Sequence, residues 1–169
     1  GAKEALDLSR IGSASAGGQK VERELEFSFR DKDYQITLSL PKARIQFLNT
    51  VPQLPLWLYF EINPGKVVTE SLVNQLQEIV SPMKRQEAAE FLLRFTQKSF
   101  DYQTDKEQFG VENYLYPMET LFYPASDCED RVILFSALIN RVMGLEVAVL
   151  DYPGHVASAL DMPLEGEGA

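Results

Sequence analysis

The stretch Tyr123-Pro-Ala-Ser-Asp-Cys-Glu-Asp-Arg-Val-Ile-Leu-Phe-Ser-Ala-Leu-Ile-Asn-Arg-Val-Met-Gly144 constrains the fold more than any other part of the chain. Pro124 breaks what precedes it, and Ser126 followed by Glu129 reads as a capping box. From Asp127 to Met143 there is neither Gly nor Pro. Cys128, Val132, Phe135, Ile139 and Val142 recur at helical spacing, and Ile133, Leu134, Ala137 and Leu138 fill the flanks. A helix apolar around most of its circumference is a buried one. Gly144 is placed to end it in the left-handed conformation, with Leu145 closing the apolar contact beyond. The spacing therefore predicts a central core helix with the chain's single cysteine in its first turn.

That position has chemical consequences. First-turn N–H groups lack intrahelical partners and the dipole is positive there, which favours a thiolate. Asp127, Glu129 and Asp130 oppose it, because each disfavours a second negative charge nearby. The only histidine, His155, follows 27 residues later (155 − 128), across one helix, one strand and one turn.

Around that helix the chain reads as follows. Residues 1–20 hold a helix-compatible piece and the run Gly12-Ser-Ala-Ser-Ala-Gly-Gly18, a flexible arm or padding. Residues 21–65 are expected to be β-rich. Val21, Leu25, Phe27 and Phe29 alternate with Glu22, Glu24 and Glu26, Asp31 to Asp33 reads as a turn, and Tyr34 to Leu40 alternates again up to Pro41. Ala43 to Leu48 is a weak segment, and Leu56 to Ile62 fits either a third strand or a short buried helix. Residues 66–169 form the expected core. Its helices run from a Thr69 cap to Val80 and from Ser81-Pro82 to about Phe100. A polar connector follows to Gly110, and then an irregular turn or short helix around Pro117 to Leu121. Leu145 to Tyr152 reads as a strand buried on both faces. Pro153-Gly154 makes a turn, and His155 to Leu160 returns as a second strand with Ala157 and Ala159 on the histidine's face.

Composition removes several function classes. At 169 residues with 45% apolar content the chain holds enough for one domain with a core. A net charge of −9 argues against nucleic acid as a partner. No apolar run approaches the ~20 residues of a membrane span. One cysteine excludes an internal disulfide framework and a thiolate-rich zinc site. No metal and no cofactor is expected. Gly1 looks like a cleavage scar, so a removed upstream signal, and with it a bacterial secreted or periplasmic setting, is an expectation.

A helix-borne cysteine paired with a strand-borne histidine is the arrangement a thiol nucleophile needs. The bland alternative, a buried inert cysteine and a solvated turn histidine, stands at even weight on these residues alone. Pro117-Met-Glu-Thr-Leu121, then Asp127-Cys-Glu-Asp130, an apolar helix ending at Gly144 and a Pro-Gly-His turn together resemble the transglutaminase-like superfamily, relatives of papain-type cysteine peptidases. Phe100-Asp-Tyr102 and Asp105 are similar to that family's lead-in. The resemblance covers about residues 66–162 and implies an α+β fold, a papain-like core of helices packed on an antiparallel sheet, preceded here by the β-hairpin region. It further implies Cys128 as nucleophile and His155 as general base, with Asp130 and the capping Ser126 as structural neighbours, Asp130 facing loop N–H groups. The substrate class it implies is a peptide or protein acyl group.

One departure stands out. The family's third residue, an aspartate on the strand after the histidine and before a Pro-Thr pair, has no counterpart here. Asp161 falls six residues past His155, on the order of 20 Å along the strand, and Asp151 across the turn is a weak substitute. The alternative function is therefore a catalytically incomplete module used for binding or as a scaffold. Without further strands, an exposed sheet edge is expected to pair two copies of the chain. Lesser candidates are Gln103, Gln108 and Asn113 as oxyanion donors. Tyr114, Tyr116, Phe122 and Tyr123 read as packing rather than a groove lining, and Asp101, Asp105 and Glu107 as a solvated loop rather than a cation site.

Overall fold

Alternation builds the first element. In the computed structural model, which describes residues 18–61, 70–153 and 155–162, strands β1 (Lys20–Phe29) and β2 (Lys32–Pro41) pair antiparallel from Lys20↔Pro41 to Phe29↔Lys32. Leu25, Phe27, Phe29, Ile36, Leu38 and Leu40 are buried on one face, while Glu22, Glu24 and Glu26 face solvent. The turn is Arg30-Asp31, one position earlier than the sequence suggests, with both residues at positive φ (48° and 61°). Two left-handed residues match the twist of a two-residue hairpin. Arginine is an unusual choice there, and its guanidinium is held by Glu87 and Glu90 at 2.7 and 3.0 Å.

Pro41 leads into α1 (Lys42–Leu48), which turns the weak segment into a helix with Ile45 and Leu48 buried. The segment that fitted either strand or helix is helix, α2 (Leu56–Glu61), which starts behind Pro55 and buries Tyr59, while Ile62 lies outside the described residues. Helix α3 (Glu70–Val80) buries the expected stripe Leu72, Val73, Leu76 and Val80, while its proposed Thr69 cap lies outside the described residues, as do most of the N-terminal arm and residues 163–169. Helix α4 (Arg85–Lys98) begins three residues beyond Pro82, because Met83 N–H closes back on Val80 and residues 81–84 form the turn. Ala88, Phe91, Leu92 and Phe95 point inward as expected.

The polar connector carries two short elements, β3 (Asp101–Tyr102) and α5 (Asp105–Gln108). Pro117 starts α6 (Pro117–Phe122), where Glu119 accepts the Tyr116 N–H at 3.0 Å. Strand β4 (Ala125–Ser126) runs parallel to β3, pairing Tyr102 with Ser126. Helix α7 (Cys128–Leu138) follows and passes into a π-helical turn over 139–143, ended by Gly144 at φ 66°. Strands β5 (Val147–Tyr152) and β6 (His155–Leu160) form an antiparallel hairpin in which Tyr152 faces His155.

The hairpin and the helices share one core. Phe27 meets Phe91 and Phe95 edge to face at 5.1 and 5.5 Å, and Leu134, Leu138 and Ile139 close it from α7. Such ring pairs add about 0.5–1.5 kcal/mol each beyond the area they bury. The architecture is a mixed helix and strand domain with small sheets. Two expectations change. Strand β5 is not buried on both faces, since Ala148 and Leu150 are exposed and only its other face lies half-buried. The sheet behind α7 has two strands among the described residues, so helices pack on a hairpin rather than on a broad sheet.

Candidate active site

Cys128 is the first residue of α7, and the residue that caps the helix is Asp127, not Ser126. The Asp127 side chain accepts the Asp130 N–H at 3.3 Å. Ser126 is drawn away by its pairing in β4, is fully buried, and accepts a hydrogen bond from Arg131 Nε at 3.1 Å. Arg131 is the clamp of this corner. Its guanidinium also donates to the carbonyls of Gln97, Phe100 and Asp101, and it lies 5.3 Å from the Tyr102 ring centre. One side chain thus fastens the start of α7 to the end of α4 and to β3.

Cys128 and His155 line a common cleft of about 380 Å³ between α4, α7 and β6. Leu93, Thr96 and Gln97 form its α4 wall, Tyr102 one end, and Val156 to Ser158 the β6 wall. The sulfur itself is half-buried. Its S–H donates to Glu129 Oε2 at 2.8 Å, rather than to the imidazole, and the Val156 N–H donates to it. Burial first, then Glu129, push the thiol up to about 11, against the pull of the Val156 N–H. His155 is exposed at the mouth. Burial chiefly, then Cys128, Asp127 and Glu129, raise the Tyr102 hydroxyl, which therefore keeps its proton at neutral pH.

Other sequence candidates fall elsewhere. Asp130 is buried and accepts the Leu115 N–H at 2.7 Å, a loop amide. Asp151 is exposed, opposite Val156 on β5, and does not line the cleft. Gln103, Gln108 and Asn113 are not brought to it either; Asn113 instead accepts from Gln53 at 3.0 Å. Tyr114 and Tyr116 pack on Tyr59, and Phe122 on Tyr123, away from the cleft. Asp101 is exposed and Glu107 caps Thr104, but Asp105 is not solvated: it is 3% exposed and accepts the Asn113 N–H at 2.8 Å. The pull of that amide, eight residues on, folds the carboxylate under its own loop. Asp105, Asp127 and Asp130 consequently gather with carboxylate oxygens within 4.8 Å of one another.

No family model, curated protein or solved structure matches the chain. The chemistry must be argued from the cleft itself. Sequence reading missed Gln97 and Arg131, the place of Tyr102 in the cleft, and the hydrogen bond from the thiol to Glu129, whose opposing charge it did read. Glu129 carried a signal in its adjacency to Cys128, whereas Tyr102 comes to the cleft through the β3–β4 pairing, which two-residue strands do not announce, and Gln97 and Arg131 through the packing of α4 beside α7. No helix among the described residues is long and apolar enough to cross a membrane.

Proposed function

We propose that the chain is a thiol-dependent acyl hydrolase or peptidase of transglutaminase-like character, with Cys128 as nucleophile and His155 as base. The observation that carries this reading is the shared cleft: the only cysteine and the only histidine of the sequence line it together, from a helix N-terminus and the start of a strand. The form described here is a resting one, with the thiol keeping its proton and donating it to Glu129. For attack, His155 takes the S–H proton as the sulfur bonds to the acyl carbon. The carbonyl oxygen then becomes an oxyanion, which the Cys128 N–H, without an intrahelical acceptor, is placed to receive. Collapse expels the amine, protonated by the imidazolium, and leaves a thioester that water cleaves with His155 again as base. The mixed α4 wall of Leu93, Thr96 and Gln97, with Tyr102 at one end, suits an extended peptide segment that offers both apolar side chains and backbone polar groups.

A second reading has its own support. A thiol bonded to Glu129 and the absence of a carboxylate contact to His155 among the described residues suit a module that binds without turnover. Hydrolysis of fluorogenic peptide amides and thioesters separates the two. Wild type is expected to cleave and both Cys128→Ser and His155→Ala to lose at least about 100-fold. Equal background rates for all three would favour the binding module.

A further inference from the structure

The large apolar side chains that stay exposed are not spread evenly over the surface. Among the described residues there are seven, and two of them, Leu93 and Tyr102 (38 and 61% exposed), line the cleft itself. Two more, Leu150 and Tyr152 (41 and 53% exposed), stand on β5 directly opposite Ala157 and His155, which line it too. Directly opposed residues of an antiparallel pair share a face, with Cβ atoms about 4.5–5.5 Å apart. One face of the β5–β6 hairpin therefore carries, pair by pair, Tyr152 with His155, Leu150 with Ala157 and Ala148 with Ala159. The other face holds the buried Val156, against α7. Apolar side chains scattered singly on a surface need no explanation, but a row that runs out of a cleft holding a nucleophile marks a place where something binds. From Ala148 to Ala159 this face bears no Asp, Glu, Lys or Arg, since Asp151 falls on the other side. Glu146 and Asp161, both exposed, stand just past its far end.

We propose that Tyr152, Leu150 and Ala157 form the subsite for the leaving segment of a peptide substrate, and that it selects a large apolar side chain on the residue that carries the leaving amine. The inference rests on the reading of Cys128 as nucleophile and His155 as base. In that chemistry the imidazole hands its proton to the departing nitrogen, so this nitrogen lies within hydrogen-bond reach of His155. The residue that bears it then lies over the neighbours of His155 on the exposed face. Tyr152 is the nearest of these, and Leu150 with Ala157 follows one pair further on, about 6.6 Å along the strand at 3.3 Å per residue. The short side chains of Ala157 and Ala159 leave room above β6, and Tyr152 and Leu150 supply the apolar wall beside it. The acids past the far end repel an acidic segment and tolerate a neutral or basic one. The occupant that fits is the part of a peptide after its scissile bond, apolar at its new amino end and free of acidic residues there.

The test separates the surface from the chemistry it serves. The full chain carrying Cys128→Ala, which cannot turn over, is titrated with the amidated tripeptides Phe-Ala-Lys and Gly-Ala-Lys and followed by NMR amide shifts. Their free amino end is that of a released leaving segment. Phe-Ala-Lys is expected to move the amides of Leu150, Tyr152 and Ala157 and to bind at least about tenfold more tightly than Gly-Ala-Lys. Adding Leu150→Ser and Tyr152→Ser, at positions exposed from the outset, is expected to erase that difference and leave the rest of the spectrum in place. In wild type, the new amino ends released from an N-acetylated peptide mixture are expected to be enriched in Phe, Leu and Met and depleted in Asp and Glu. Equal binding of the two tripeptides, shifts that bypass this face, or a preference that survives both serines would overturn the subsite. So would a concentration-dependent dimer that the serines break up, which would assign the face to a second copy of the chain. A tripeptide preference that stands while wild type cleaves nothing would support the surface and sink only the thiol reading.

Discussion

At the residue scale, the environment of Cys128 is set by its immediate neighbours in sequence. Glu129 acts twice on the thiol, accepting its proton and repelling the thiolate that would remain. Glu129→Gln removes the charge and so lowers the thiol from about 11. Each unit of that drop gives about ten times more thiolate at pH 8. Alkylation by iodoacetamide is expected to quicken roughly tenfold in the variant, read as a rate against pH; an unchanged profile would show that burial alone sets the thiol. The opposition between dipole and acids is legible in the run Asp127-Cys-Glu-Asp130 by itself. Which residue caps the helix is not. Ser126 and Asp127 each stand three residues before an acid, and the choice falls to Asp127 because Ser126 is committed to β4 and to Arg131.

At the scale of elements, period-two and period-3.6 patterns located β1, β2, α3, α4 and α7 closely, since each buries one face against a shared core. Turns were less legible. The β1–β2 turn uses Arg30 and Asp31 in the left-handed region without a glycine, and nothing in Arg-Asp announces it. Asp31→Gly, which removes the Cβ penalty at φ 61°, is expected to stabilise by about 0.5–1 kcal/mol. A urea midpoint that rises at constant m is the readout, and a fall would mean that the Asp31 side chain contributes more than its backbone costs. The short α6 helix carries a different signature. Burial pushes Glu119 up to about 7, against the Tyr116 N–H that pulls it down. The native state then keeps a proton that the unfolded chain releases near its ordinary value of 4.5. Protons bound by the native state in excess make stability fall as pH rises, here from about 4.5 through 7. Thermal scans between pH 5 and 8 in the presence of a chelator are expected to show a falling Tm, with a shallower slope in Glu119→Gln, which still accepts the Tyr116 N–H. Parallel slopes in both proteins would place the effect elsewhere, first at Asp127, which burial also raises to about 7.

At the scale of the whole molecule, the cleft is made by elements that meet only in the folded chain. Cys128 and His155 could be picked out as the only residues of their kinds, and the helix and hairpin that carry them could be drawn from apolar spacing. Their common cleft depends on β6 lying against α7 through the buried Val156, and on Arg131 drawing Tyr102 to the same corner. The burial of Asp105 likewise requires Asn113 to arrive from the next turn, which no local pattern encodes. The central claim is that sulfur and imidazole work as one unit on an acyl group. Intact-mass spectrometry after brief exposure to an activated peptide thioester tests it most directly. The account predicts an acyl adduct confined to Cys128 in wild type, formed and then lost by hydrolysis, and at least about 100 times slower to form in His155→Ala. An adduct that forms equally fast without the imidazole, or none on wild-type Cys128, would contradict it.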